Sequence, residues 1–339
     1  MKHDILFMND TVVNTLVGND MKTVMEDISN CLSIFDKGDT INPTKCVLRW
    51  GKTPEDENVM GRINAMPGYV GGNVDVAGIK WIGSGPQNYK KGLPRASVLC
   101  VLNDPDTKLP LAIADSTVVS AKRTGAVGGL AVKYLARENI QTVLVCGAGA
   151  QGRTQLEAAL LVRPGIKKVY IYDLFFERSE AFAKEMLEKL GVEVIPTKAL
   201  EAAAREADVI ITVTLANEPF IEADWLKAGS LMVQMADYEV TYDCVRKASK
   251  IVCDTWEGIK HRMISPIALM YDQSLLKDED IYCELGGIIN GRKPGRENDE
   301  EIIYFNAVGM GIEDLCIIAH AYRLAKEKGL GVTVNYWEK

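Results

Sequence analysis

Histidine is scarce: the chain has three in 339 residues (His3, His261, His320), none within helical reach of another. A histidine-based metal site is therefore excluded as a leading idea. The eight cysteines include no C-x-x-C pair, a spacing that suits neither a zinc site nor a disulfide scaffold in a chain this long. No metal is expected. No run approaches the ~18 apolar residues of a membrane span, and the opening MKHDILFMNDT lacks the apolar stretch of a secretion signal. A soluble protein in a reducing cytoplasm is the expectation. Basic runs are missing as well. Lys plus Arg is 39 against 46 for Asp plus Glu, a net charge of −7, which speaks against nucleic acid or an anionic membrane as a partner.

What is present is the ordinary mix of a folded protein, 47% apolar and 25% charged residues, long enough for two domains or one large one. Asn19-Asp20 precedes apolar residues at helical spacing (Met21, Val24, Met25, Ile28, Cys31, Leu32, Phe35), which predicts a helix ending near Gly38. Strand-like runs follow in CVLRW, 75–82 and SVLCVLND. Asp115 or Ser116 is placed to cap a helix reaching Leu135, whose small-sided middle GAVGGLA implies close packing against another element or close approach to a ligand. From Gln141 the pattern changes. TVLVC, KKVYIYD, VEVIP, DVIITVTL, SLMVQMAD and KIVCD alternate with helical stretches, which predicts an α/β fold with a doubly wound parallel sheet. A polar loop over 291–301 leads to a closing helix at about 311–328 with one apolar face.

Gly147, Gly149 and Gly152 form G-x-G-x-x-G directly after the strand TVLVC and at the start of a helix, the setting that turns a weak pattern into a dinucleotide site. The glycines permit the tight turn, the approach of pyrophosphate and the packing of helix on strand. The helix N-terminus adds free N–H groups and partial positive charge. Asp173 closes the next strand, about 20 residues on, where a carboxylate bonds the ribose hydroxyls and repels a 2′-phosphate. NAD is thus expected over NADP, with FAD or an unoccupied glycine turn as alternatives.

Such a fold does not name a reaction. Residues 1–123 hold Arg49, Arg62, Lys80, Arg95 and Arg123 beside apolar segments, and cations so placed gather on a substrate carboxylate. Taken singly, each is more simply a solvated or salt-bridged cation. Lys80, inside GIKWI, and Arg123, inside a helix of small residues, fit that plainer reading least.

The stretches RINAMPGY, GIKWIGSGPQNYKKGLPRAS, LNDPDTKLPLAIADSTVVSAKRTGA, GAGAQGRTQLEA and PGRENDEEIIYFNAVGMGIEDL resemble the ornithine cyclodeaminase/mu-crystallin family almost end to end, with VSAKRTGA similar to its R-T-A-A signature. The resemblance implies a Rossmann-type NAD-binding domain (124–310) inserted in a discontinuous α+β domain (1–123 plus 311–339) that binds substrate and forms a homodimer. It puts Arg49, Lys80 and Arg123 on the substrate α-carboxylate, with Lys80 also moving a proton. It puts Thr124, Gly147, Gly149, Gln151, Gly152, Asp173 and Thr214 at the cofactor. Asp237, in VQMADYE, resembles the cyclodeaminase aspartate that handles the amino group and the attacking water. Asn64 stands where the cyclodeaminases carry a glutamate, and a neutral amide cannot match an ammonium as a carboxylate would. That argues against ornithine cyclisation. Arg62 is similar to an arginine of a siderophore-pathway member of the family and is suited to a second carboxylate. The implied activity is NAD-dependent hydride transfer at the CH–NH carbon of an amino acid or N-carboxyalkyl amino acid. A cyclodeaminase-type ammonia lyase that recycles NAD, and a mu-crystallin-like binder of NAD(P)H and a small ligand, are the alternatives.

Overall fold

The computed structural model describes residues 2–53, 56 and 61–338. The chain divides into two compact units, Met1–Arg123 with Met310–Lys339, and Thr124–Gly309.

The first unit is built on one sheet of β1 (Lys2–Met8), β2 (Thr40–Ile41), β3 (Cys46–Leu48), β4 (Arg62–Val70), β5 (Val76–Ser84), β6 (Ala96–Asn103) and β7 (Pro110–Asp115), with a closing strand Val332–Glu338. The order is closing strand-β1-β7-β6-β5-β4-β2, and β3 also pairs with β4. All pairings are antiparallel except β1 with β7. Helix α1 (Met21–Asp36) starts where Asp20 accepts the Lys22 N–H, an ordinary N-cap. Its stripe Val24, Ile28, Cys31 and Leu32 is fully buried. The closing helix Gly311–Lys328 packs on α1, β4 and β5, and its first turns are buried almost all round.

The register sets one row across four strands, Met66 opposite Lys80, Lys80 opposite Cys100, and Cys100 opposite Ala114. Residues directly opposite share a face, and that face meets the closing helix, where a Cβ on Gly311 would lie 2.8 Å from Met66. The other face carries Trp81 opposite Leu99, both more than a third exposed. Pro67 lies inside β4, which sequence reasoning did not read as a strand. On the side of β4 away from β5, β3 pairs only with residues 63–65 and β2 only with 69–70, which leaves a gap in the ladder at Pro67 where a missing N–H is tolerated.

The second unit holds β8 (Thr142–Cys146), β9 (Lys168–Tyr172), β10 (Val194–Pro196), β11 (Val209–Thr212), β12 (Leu231–Gln234), β13 (Lys250–Cys253), β14 (Cys283–Glu284) and β15 (Ile303–Asn306). All are parallel, in the order β10-β9-β8-β11-β12-β15-β13-β14. The direction of winding reverses between β8 and β11, the place where open α/β sheets hold ligands. The central strands are wholly buried, which is why TVLVC and DVIIT are continuous apolar runs rather than alternating ones. The strand β15, after the polar loop, slots between β12 and β13. Helix α2 (Thr117–Leu135) meets α3 (Ala150–Val162) closely, since a Cβ on Gly125 would lie 2.7 Å from the Thr154 backbone. The small residues of GAVGGLA thus serve packing. Among the described residues no helix is long and apolar enough to cross a membrane, and none of the His, Cys, Asp and Glu groups could hold a metal ion.

Candidate active site

In the first unit, Lys80 and Arg123 come together on two carboxylates at the start of the closing helix. Lys80 Nζ lies 2.6 Å from Asp314 Oδ2 and donates to Ser120 Oγ at 2.8 Å. Arg123 lies 3.0 Å from the same Asp314 oxygen through Nε, and 2.8 Å from Glu313 Oε2 through a terminal nitrogen. Ser116 Oγ donates to Asp314 Oδ1 at 3.2 Å. Lys80, Glu313 and Asp314 are at most 1% exposed, and Arg123 is 9% exposed. Arg123 is therefore the member of the set that an incoming ligand meets first.

Such burial sets the protonation chemistry. Removal from water holds the Lys80 ammonium below its ordinary range, with the neighbouring Arg123 charge pushing the same way and Asp314 opposing. Burial also pushes the Glu313 carboxyl up, against the pull of Arg123. Cys100, across the strand from Lys80, is raised to about 12 by burial, so it stays a thiol and brings no charge.

Arg49 does not join this cluster; it follows β3 and is exposed. Arg62 and Asn64 sit on β4 opposite Ser84 and Ile82, on the same sheet face as Lys80. Asn64 is 8% exposed, and among the described residues its Oδ1 has no hydrogen-bond partner. Arg62 lines a cleft of about 270 Å³ with Trp50, Ser84, Asn88, Lys91 and Ser97.

In the second unit, the loop after β8 is a tight glycine turn. Gly147 has φ +113°, and a Cβ there would meet the Val213 carbonyl at 2.9 Å. A Cβ on Gly152 would lie 2.2 Å from the Gly147 oxygen, whereas nothing stands within 4 Å of the Cβ position of Gly149. The middle glycine is thus open to a ligand and the flanking two are required by the turn. Gln151 stands in the first turn of α3 with a buried Oε1 that lacks a partner among the described residues. Asp173 accepts the Ala148 N–H at 2.9 Å and the Phe175 N–H at 3.0 Å, which holds its carboxylate beside the loop. The Thr124 carbonyl accepts from Gln155 at 2.9 Å. Thr214, after β11, donates both its N–H and its hydroxyl to Glu239 Oε1 at 2.6 Å. Asp237, after β12, is paired with Arg262.

Sequence reasoning missed Glu313, Asp314, Ser116 and Ser120. The signal was there in GIEDLCII, where two adjacent carboxylates interrupt an apolar run. Buried charges demand partners, and the cations to match were already in view. Glu239 and Arg153 were also missed; Arg153 donates to the Ala148 and Gly149 carbonyls at 2.6 and 2.9 Å and braces the loop.

A doubly wound unit with a glycine cradle at its switch point defines a dinucleotide-binding protein of the α/β class. The chain belongs to the ornithine cyclodeaminase/mu-crystallin family, whose pattern matches residues 1–329. It is 32% identical to the N-((2S)-2-amino-2-carboxyethyl)-L-glutamate dehydrogenase of Staphylococcus aureus (strain NCTC 8325 / PS 47), over 99% of this chain and 100% of that one. Among solved structures it is similar to the Δ1-pyrroline-2-carboxylate reductase of Thermococcus litoralis in complex with NADH and L-proline. The TM-score is 0.88, with 33% identity over 97% of this chain and 100% of that chain. An archaeal alanine dehydrogenase dimer with bound NAD gives a TM-score of 0.88 and 31% identity, covering 99% of this chain and 100% of that one.

Proposed function

We propose that the protein is an NAD(H)-dependent oxidoreductase acting on the carbon–nitrogen bond of a carboxylate-bearing amine or imine. The observation that carries this reading is the buried Lys80–Arg123 pair, in a chain whose relatives are named as dehydrogenases and reductases of amino and imino acids. Arg123 and Lys80 hold the α-carboxylate and so fix which face of Cα is presented. Arg49 is assigned to the same carboxylate by resemblance alone. The loop Gly147–Gly152, with Gln151, Asp173, Thr124 and Thr214, fits a dinucleotide, and the open approach at Gly149 supports that fit. When bound there, NAD supplies the hydride acceptor. The substrate nitrogen must be neutral for the imine to form, and Lys80, with its ammonium destabilised by burial, or Asp237 takes that proton.

Arg62 and Lys91, lining the cleft at the start of β4 and the end of β5, favour a substrate with a second carboxylate, as in an N-carboxyalkyl amino acid. Asn64 favours no distal ammonium. The exposed outer face of the first sheet, with Trp81 and Leu99, supports a homodimer. The reading is tested by screening amino acids and N-carboxyalkyl amino acids with NAD, following NADH absorbance and ammonia. Net NADH formation that depends on substrate is expected. Ammonia released without NADH would identify a cyclodeaminase-type lyase instead, and inertness with every carboxylate would overturn the reading.

A further inference from the structure

The cation pair assigned to the substrate is already neutralised from within: two cations, Lys80 and Arg123, face two carboxylates, Glu313 and Asp314, and the four together carry no net charge when all are ionised. A substrate carboxylate entering this set adds a negative charge where water is absent, and such charge is costly unless balanced. The two carboxylates are not equal in their support. Asp314 keeps Lys80 and Ser116 whatever Arg123 does. Glu313 depends on Arg123 and on one backbone donor, the Met310 N–H at 3.2 Å, both at Oε2. Its other oxygen, Oε1, is buried with no partner among the described residues. When Arg123 turns part of its charge to a ligand, Glu313 is the group left uncompensated.

We propose that binding of the substrate carboxylate, on the reading that Arg123 and Lys80 receive it, is coupled to uptake of one proton from solvent by Glu313. The proton adds to the carboxylate, the O–H bond forms there, and the cluster returns to zero net charge with the ligand in place. The other titratable or charged groups around Glu313 are Arg123 from α2, Lys80 from β5, Asp314 and Cys316 from its own helix, Cys31 from α1 and, beyond Lys80, Cys100 from β6. The Cys31 thiol is pushed up by its hydrogen bond with Cys316 and by burial, and the Cys100 thiol by burial and the Asp314 charge, so both stay protonated. Lys80, whose ammonium is destabilised by burial, would mimic the effect by losing its own proton as pH rises.

The experiment uses the whole protein saturated with oxidised NAD, which supplies no hydride to a 2-oxo acid. Pyruvate and 2-oxoglutarate are the probes; neither carries an amine that would titrate. Calorimetric titration in two buffers of different ionisation enthalpy counts protons per ligand directly. Uptake approaching one proton is expected at pH between the Glu313 pKa of the free site and its higher value in the liganded site, with the dissociation constant rising about tenfold per pH unit there. In Glu313→Gln the free site carries one net positive charge that the ligand carboxylate itself balances, so binding should carry no proton and be flat with pH. Should that variant fail to fold, infrared difference spectra of the wild type decide: a protonated-carboxyl C=O band, shifted in D2O, that appears on ligand binding supports the proposal, and its absence overturns it. Zero uptake across the pH range overturns the proposal, and so does uptake that persists in Glu313→Gln, which would assign it to another member of the cluster. If the probes bind wild type and Arg123→Met equally, the substrate reading itself falls and takes this one with it. Binding lost in Arg123→Met but carrying no proton sinks the proton coupling alone.

Discussion

At the scale of single residues, two substitutions separate recognition from architecture. Arg123 is assigned to the substrate carboxylate, so Arg123→Met should lose about 2–5 kcal/mol of that contact, the cost of leaving a buried charge partner unpaired. That is roughly 30- to several-thousand-fold in kcat/KM, with NAD affinity nearly intact. The same variant strands Glu313, which among the described residues keeps only the Met310 N–H, so some loss of Tm accompanies it. An Arg123→Met protein that is less stable yet fully active would reduce Arg123 to a helix bridge. Asp173 is the second case. Its carboxylate is held beside the glycine loop by the Ala148 and Phe175 N–H groups, and a carboxylate so placed disfavours a 2′-phosphate. Asp173→Ser should narrow the gap between NAD and NADP, measured as the ratio of their kcat/KM values. A wild type that prefers NADP would show that the carboxylate serves only to brace the loop.

At the scale of elements, the contacts between helices carry a pH signature. His320 Nδ1, on the closing helix, sits 2.9 Å from Asp27 Oδ2 on α1, and that hydrogen bond raises the imidazole pKa above its ordinary value. The pair therefore stabilises the fold fully below the unfolded histidine pKa, and the contribution is lost as pH rises through the raised folded value. His320→Gln should lower Tm by roughly 1–3 °C at mildly acidic pH and by much less at pH above the folded pKa. An equal loss at both would leave packing as the whole effect. The elements also show what a sequence can and cannot disclose. The periodic helices, the buried parallel strands and the glycine turn were legible because each is a local pattern with one physical cause. The strand β4 was not, since Pro67 argues against a strand unless the gap between β2 and β3 is already known. The closing strand was missed although VTVNYWE alternates, because it is paired with β1, more than three hundred residues away in sequence. Lys80 and Arg123 could be singled out as cations in apolar surroundings, but their carboxylate partners come from the far end of the chain. No local rule links positions 80 and 314.

At the scale of the whole molecule, the open question is what covers the outer face of the first sheet. One face is filled by the closing helix, while the other leaves Trp81 at 38%, Leu99 at 37% and Phe7 at 42% exposed. Trp81 and Leu99 are directly cross-strand, so they form a patch rather than scattered apolar residues, and such patches mark an interface. A second copy of the chain, the homodimer of the proposed function, is the occupant this face fits. The face is self-complementary in chemistry, apolar with few charges, as a two-fold interface requires. Light scattering at micromolar protein should therefore report twice the 37.3 kDa chain mass. Placing one carboxylate on each copy, Trp81→Glu, puts unpaired charge into that interface and should shift the equilibrium to monomer. Because Trp81 points away from the Lys80 face, far-UV circular dichroism of the variant should be unchanged. The Glu313 and Arg123 tests can then be repeated on the monomer. A wild type that is monomeric at that concentration, or a Trp81→Glu protein that remains dimeric, would place the interface elsewhere.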